Sequence, residues 1–251
     1  MSVKPIIKSV IVQNSSFELD ETIVIFLRVS VENLKAAVAE IIQIVVDESW
    51  MKEITPGIMK RSFIARARPT INKLAQKLEN AIYVNTGNIA VQNIGETIVS
   101  VVAHSIIERQ LQYKALPLAE IIKHNESQNS GFDFYNEKDN MMIVFGEAKY
   151  RAGKNAYNDA LEQVVDFIAK DNHIKDMADI SQYVSENVFN NINSNNVSDR
   201  DKFCYAAAFS TVNRRFNEQK LINNIKNNAH FRELVSQNHK ELVLVAVDIN
   251  G

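Results

Sequence analysis

The residues whose types and spacing carry chemistry lie in the middle of the chain. Gly131-Phe-Asp133-Phe is followed, after a gap of hairpin length, by Val144-Phe-Gly-Glu147-Ala-Lys149-Tyr150. On a strand, residues i and i+2 point to the same face, so Glu147 and Lys149 project together. A short turn pairing the two strands brings the Asp133 carboxylate beside Glu147. Two carboxylates at one point, with the carbonyl of Ala148, form an oxygen site suited to Mg²⁺, with Mn²⁺ as a substitute, rather than to zinc. Such a metal polarises a phosphoryl oxygen and helps to deprotonate a water. A lysine beside it holds that water and offsets charge developing in the transition state. This is the machinery of phosphodiester hydrolysis.

An acidic-x-Lys string alone says little, and the chain holds an internal control. Glu218-Gln-Lys220 has the same spacing but opens a helical stretch, where i and i+2 do not face each other. Only Glu147-Ala-Lys149 has strand, turn and upstream aspartate in the right order. The plain alternative is a pair of edge-strand carboxylates on a solvated face, with Lys149 as a cross-strand ion-pair partner. Alternation supports that alternative in part, because Phe132, Phe134, Val144 and Ala148 take the opposite face. Phe145 departs from it, sharing a face with Glu147. Arg151, Lys154 and Asn155 follow the lysine strand and are placed to hold phosphate oxygens, as a solvated loop would equally present them.

Several elements must position these residues. Lys8–Val12 and Thr22–Val29 read as strands broken at Asn14-Ser-Ser16. Ser30 reads as the N-cap of a helix with Leu34, Ala37, Val38, Ile41, Ile42, Val45 and Val46 on its apolar face. A basic helix follows from about Thr70 to Ile82, and another from Ile94 to about Gln112 with Glu96 in its first turn. Gly131–Tyr135 and Met141–Tyr150 read as strands around a polar turn at Asn136–Asn140. Tyr157, Ala160, Leu161, Val164, Val165 and Ile168 mark one helix face. The Asn-rich stretch Asn187–Asn196 reads as a flexible loop. A strand at Cys204–Thr211, a helix at about Glu218–Gln237 and a strand at Leu242–Asp248 complete the chain. The alternation after residue 131 indicates an α/β fold with a mixed sheet. Residues 1–90 read as a strand-and-helix extension packed on a core of residues 91–251, not as an independent domain.

With these residues on the page, the chain resembles the PD-(D/E)xK nuclease superfamily over roughly residues 93–170. The resemblance implies a restriction-endonuclease-like core, a mixed central sheet flanked by helices. In that superfamily a helix ahead of the hairpin often supplies an acidic residue to the metal, and Glu96 in Asn93-Ile-Gly-Glu96 is placed like it. A helix dipole favours an acid in a first turn in any case, so both readings of Glu96 stand. The helix after the lysine strand often carries a glutamine with an aromatic four residues on. Gln163-Val-Val-Asp-Phe167 is similar, with phenylalanine for the usual tyrosine. The proline of the name is absent, since Gly-Phe precedes Asp133. The resemblance implies Glu96, Asp133 and Glu147 as metal ligands, Lys149 as the residue that orients or activates water, and Gln163 as a substrate-positioning residue. More narrowly, the Gly-Glu helix, Leu-Pro connection, Gly-x-Asp strand and Gly-Glu-x-Lys-Tyr resemble the nuclease subunits of Hachiman-type antiphage systems. That resemblance implies DNA as substrate, a role in defence and a separate helicase partner. A Type II restriction enzyme, which would be a homodimer, and a non-catalytic binding subunit of the same fold are the alternatives.

Composition bounds the rest. The chain has 251 residues, 46% hydrophobic and 23% charged, with a net charge of −2, which is ordinary for a globular protein. Basic residues still cluster, at Lys60–Arg68, at Lys149–Lys154 and at Arg214-Arg215, and the field that attracts a polyanion is local to a cleft. No apolar run approaches membrane-spanning length, and no signal-peptide pattern is evident, so a cytoplasmic location is expected. A single cysteine, Cys204, excludes a disulfide framework and a cysteine-rich zinc site. Gly146 to Lys154 does not have the spacing of a phosphate-binding loop, so any motor would be a partner's. No Gly-x-Ser-x-Gly elbow exists, the histidines lack metal-ligand spacing, and His104 reads as a core histidine.

Overall fold

The computed structural model describes residues 5–52, 58–83, 88–123, 131–211 and 217–249; for 51–52, 58–60, 82–83, 88–90 and 92–93 this means the backbone only. Seven strands form one mixed sheet: β1 (Val10–Leu19), β2 (Thr22–Val31), β3 (Lys114–Ala115), β4 (Phe134–Lys138), β5 (Met142–Lys149), β6 (Phe203–Thr211) and β7 (Glu241–Asp248). Their order is β1-β2-β7-β6-β5-β4-β3. The central strands β2, β7, β6 and β5 are mutually parallel, and antiparallel pairs flank them on both sides.

The parallel strands are buried on both faces, so they read as nearly continuous apolar runs. One face carries α1 (Leu34–Val46), α2 (Ile58–Tyr83) and α3 (Asn88–Leu111), which bury Ile41, Leu78 and Val102 against Val144, Ala148, Ala206 and Val245. The short α4 (Ala119–Ile122) follows β3. The other face carries α5 (Tyr157–Ala169), α6 (Asn172–Ile180), α7 (Glu186–Ile192), α8 (Glu218–Lys226) and α9 (Ala229–Ser236). There Leu161, Val164, Phe167 and Phe231 pack on Phe26, Phe145, Tyr205 and Leu244. Two-sided burial explains why Phe145 breaks the alternation.

Within the first ninety residues, β1 and β2 are part of this sheet. β2 pairs with β7 along its length, from Ile23 opposite Glu241 to Ser30 opposite Asp248. That pairing carries the strand through Ser30, so the expected cap at Ser30 is corrected to Asn33, whose side chain accepts the Ala36 N–H at 3.1 Å. β1 runs unbroken through Asn14-Ser-Ser16, because an edge strand exposes one side to water and tolerates polar residues there. The turn is at Asp20-Glu21, both at positive φ, as a tight two-residue hairpin requires.

Other boundaries also shift. α2 begins at Ile58 and passes through Pro69, which faces solvent while Ala67, Ile71, Leu74 and Leu78 hold the buried stripe. α3 begins at Asn88, so Glu96 lies past its second turn and the helix dipole gives no account of it. The expected turn at Asn136–Asn140 narrows to Asp139-Asn140, both at positive φ. Asn136 and Glu137 are buried strand residues: the Asn136 amide donates to the carbonyls of His104 and Tyr113, and one oxygen of Glu137 accepts the Ser185 N–H. The Asn-rich stretch is not a loop throughout, since α7 covers Glu186–Ile192, capped by Ser185. Asn191 ties it down by donating to the carbonyls of Met141 and Asp201. The single helix expected at Glu218–Gln237 is two, broken where Asn228 caps α9. Among the described residues no helix is long and apolar enough to cross a membrane.

Candidate metal centre

The site lies where β4 and β5 part. Their ladder ends at the pair Phe134–Gly146, after which Asp133 still donates its N–H to the Gly146 carbonyl at 2.8 Å. The next step is made by a side chain: the Ala148 N–H donates to Asp133 Oδ2 at 2.8 Å. This bond fixes the Asp133 carboxylate beside β5 one residue from Glu147. Gly146 makes the close approach possible, because a Cβ there would run into the Phe134 ring.

Three carboxylates converge. One oxygen each of Glu96, Asp133 and Glu147 lie within 4.8 Å of one another. Lys149 Nζ stands among them, 2.6 Å from Glu96 Oε1 and 2.7 Å from Glu147 Oε1. Glu96 arrives from α3 across the edge that β4 leaves open. That approach depends on Gly95, where any Cβ would overlap the ring of Tyr150. The helix therefore rests on Tyr150, the residue after β5, and Glu96 is carried to Lys149.

Burial sets the electrostatics. Glu147 is 1% exposed, and both its oxygens are shielded from solvent without a hydrogen bond of good geometry. Among the described carboxylates it alone has both oxygens in that state. Desolvation pushes its carboxyl well above the usual range, and the charge of Asp133 adds to this against the pull of Lys149. Asp133 is pushed up to about 6, first by desolvation, while the Ala148 N–H and Lys149 draw it down and Glu96 raises it. Burial alone would lower the Lys149 ammonium, but the carboxylates around it raise it above its ordinary value. Three carboxylates share a single lysine here, so the site is short of positive charge. Its donors are all oxygen, as Mg²⁺ or Mn²⁺ requires, so these residues fit a hard divalent cation.

The remaining site candidates fall elsewhere. Arg151 follows β5, but its guanidinium pairs with Asp159 at 2.5 Å and its N–H donates to Ser210 Oγ. Lys154 and Asn155 are exposed in the turn before α5. Gln163 is half-buried on α5, and its side chain makes no hydrogen bond among the described residues. Phe167, four residues on, stacks edge-on against Phe132 at 5.3 Å and belongs to the core. The control string behaves as expected: Glu218 accepts from Ser15 at the start of α8, and Lys220 is exposed. Arg214 and Arg215 lie outside the described residues, as does the Lys60 side chain.

Sequence reasoning missed the buried cluster that anchors Asp133. Asp176 on α6 accepts the Phe132 N–H at 2.9 Å and the Tyr135 hydroxyl at 2.7 Å. Lys123 Nζ lies 3.6 Å from the same carboxylate and donates to the Phe132 carbonyl. Gly131 has no room for a side chain, since a Cβ would meet Asp176 and Lys123. The backbone before Asp133 is thus pinned on both sides. The three partners come from separate elements, and no spacing in the sequence links them. Compared with known proteins, the chain matches no family model and no curated protein.

Proposed function

We propose that this protein is a metal-dependent nuclease that hydrolyses phosphodiester bonds in DNA. The observation that carries the proposal is Glu147, a buried carboxylate that faces Asp133 and Glu96 and whose one cationic partner among the described residues, Lys149 at 2.7 Å, is shared with Glu96. Glu96, Asp133 and Glu147 would hold Mg²⁺, with Mn²⁺ able to substitute. When bound, such an ion polarises the scissile phosphate and makes water a better nucleophile. Asp133 is held by the Ala148 N–H, so its free oxygen is presented in one direction. Lys149 remains protonated at neutral pH among its carboxylates, so it orients water and offsets phosphate charge instead of taking a proton.

The order of acidic strand, turn and Glu-x-Lys strand, with an acidic helix ahead of it, supports a restriction-endonuclease-like core of the PD-(D/E)xK type. A role as the nuclease of an antiphage defence system acting with a helicase belongs to the same proposal. The test is degradation of plasmid and linear DNA by the purified chain with Mg²⁺ or Mn²⁺, alone and with any helicase encoded beside it. Cleavage that disappears in Glu147→Ala/Lys149→Ala supports the metal centre. Discrete fragments would mark a Type II restriction enzyme, and a ladderless smear a non-specific one. Silence in every condition, with wild type and variant equally protective against phage, leaves a non-catalytic binding subunit.

A further inference from the structure

α2 and α4 line an open cleft of about 670 Å³. Among the described residues, its charged lining is Arg66 and Lys123, joined by Thr70 and walled by Phe63, Ile122 and Tyr183. The cleft is tied to the site at two points. Lys123 donates to the carbonyl of Phe132, the residue before Asp133. On the neighbouring α4, the Glu120 carboxyl is raised by desolvation, drawn down by Lys77 and pushed up again by Glu96. Lys77 of α2 and Glu96 thus both lie within electrostatic reach of Glu120, while Arg66 lies in the cleft.

The sequence makes a row of these cations. Arg66, Lys73 and Lys77 are spaced by seven and four residues on α2 and are all exposed, so they fall on one helix face. From Arg66 to Lys77 the helix rises roughly 16 Å. Over that length α2 carries no acidic residue, although the chain as a whole is slightly acidic. Arg66 lines the cleft, and Lys73 and Lys77 continue the row along α2 beyond it; a nearly neutral protein that gathers one sign of charge along one helix face creates a local field for a polyanion.

We infer that the cleft between α2 and α4, with the exposed face of α2 beyond it, is the track for a single strand of nucleic acid leading to the metal centre, its phosphates held by Arg66 in the cleft and by Lys73 and Lys77 further along the helix. One row of cations fits one backbone, whereas duplex DNA presents two strands across a major groove about 12 Å wide. The inference rests on the nuclease reading of the metal centre and names the form of its substrate. A flanking single strand enters along α2, and the scissile phosphate is the one that reaches Glu147.

The test measures anisotropy of labelled oligonucleotides of about 15 nucleotides, single-stranded or as a blunt hairpin duplex, with the full-length chain in chelator. Lys73→Glu/Lys77→Glu is compared with Lys35→Glu/Lys220→Glu, which changes the charge equally at exposed positions on α1 and α8. Lys73→Gln/Lys77→Gln provides a milder second variant, and thermal melting checks that each folds. The expected result is tighter binding of the single strand by wild type and weakening of about tenfold or more in the Lys73/Lys77 variants. With two fewer phosphates neutralised on a single strand, the salt slope should fall by about 1.4. Equal weakening by the control pair, unchanged binding by the Lys73/Lys77 variants, or preference for the blunt duplex would overturn the track. Cleavage with Mg²⁺ or Mn²⁺ is read separately. Cleavage that survives Lys73→Glu/Lys77→Glu undiminished sinks the track and spares the nuclease. Binding that follows the track without cleavage by wild type removes the nuclease and, with it, the role assigned to the cleft.

Discussion

The two ends of the parallel strands each bury a glutamate, and the glutamates are treated oppositely. At the start of β7, Glu241 is 6% exposed. Its oxygens accept from the Tyr113 hydroxyl at 2.8 Å and from Lys138 Nζ at 2.7 Å, and Cys204 Sγ donates to its carbonyl. Near the end of β5, Glu147 is as deeply buried but has only an imperfect approach from Lys149. A buried carboxylate is tolerated when its charge is paired and its lone pairs are filled. Glu241 meets that condition within the chain and serves the fold. Glu147 is paired only with Lys149, which Glu96 shares, so a further partner is expected to come from outside. The contrast matters more than the clustering, since acidic groups often gather at surfaces without binding anything.

Substitutions can break this contrast directly. The largest effect is expected at Glu147: Glu147→Gln should lower nuclease activity on the order of a thousandfold, while the protein in chelator is as stable as wild type or more so. Activity assays beside thermal melts would read both, and a severe loss of fold would return Glu147 to a structural role. Glu241→Gln should do the reverse. It removes the partner of Lys138, costing about 3 kcal/mol of stability, and should leave activity per folded molecule near wild type. Urea titration gives the first quantity and specific activity the second.

Metal binding sharpens the comparison further. Mg²⁺ at about a hundred times its dissociation constant should stabilise wild type by about 2.7 kcal/mol. The shift should vanish in Glu147→Gln and persist in Glu241→Gln, as melting with and without chelator would show. An equal shift in all three proteins would place the ion elsewhere.

The last effect concerns pH and the end that holds Glu241. His239, just before β7, packs against Tyr205 with ring centroids 4.7 Å apart. Burial, with a contribution from His173, pushes it down to about 4. The unfolded chain takes up a proton near pH 6.5 that the native state refuses. Stability from this group is therefore present above that pH and lost as pH falls from 6.5 to 4. The expected loss is roughly 3 kcal/mol. Denaturant melts should show wild type losing stability relative to His239→Phe as the pH is lowered if the histidine is the cause; parallel curves would assign the acid sensitivity to other groups.

Much of the architecture was legible because apolar periodicity reports burial directly. The helix of Leu34–Val46 and the helix of Tyr157–Ala169 appear where the spacing of their apolar residues predicts them. The misread segments share one cause: their polar residues are satisfied by distant partners. Asn14-Ser-Ser16 stays in a strand because β2 supplies the ladder. Asn191 belongs to a helix tied to two carbonyls. Glu96 differs, since local spacing puts it in a first turn, yet its helix begins at Asn88 and the dipole explanation falls away.

The sequence by itself determined the α/β class, the hairpin and the pairing of Glu147 with Lys149 on one strand face, because these follow from local geometry and short separations. Tertiary structure alone decided that Glu147 is buried instead of solvated, that α3 reaches Lys149 through the gap at Gly95, and that Asp176 and Lys123 lock the backbone before Asp133. The physical reason is range. Periodicity fixes which way a side chain points on its own element, whereas desolvation and hydrogen-bond satisfaction depend on which other elements pack against it.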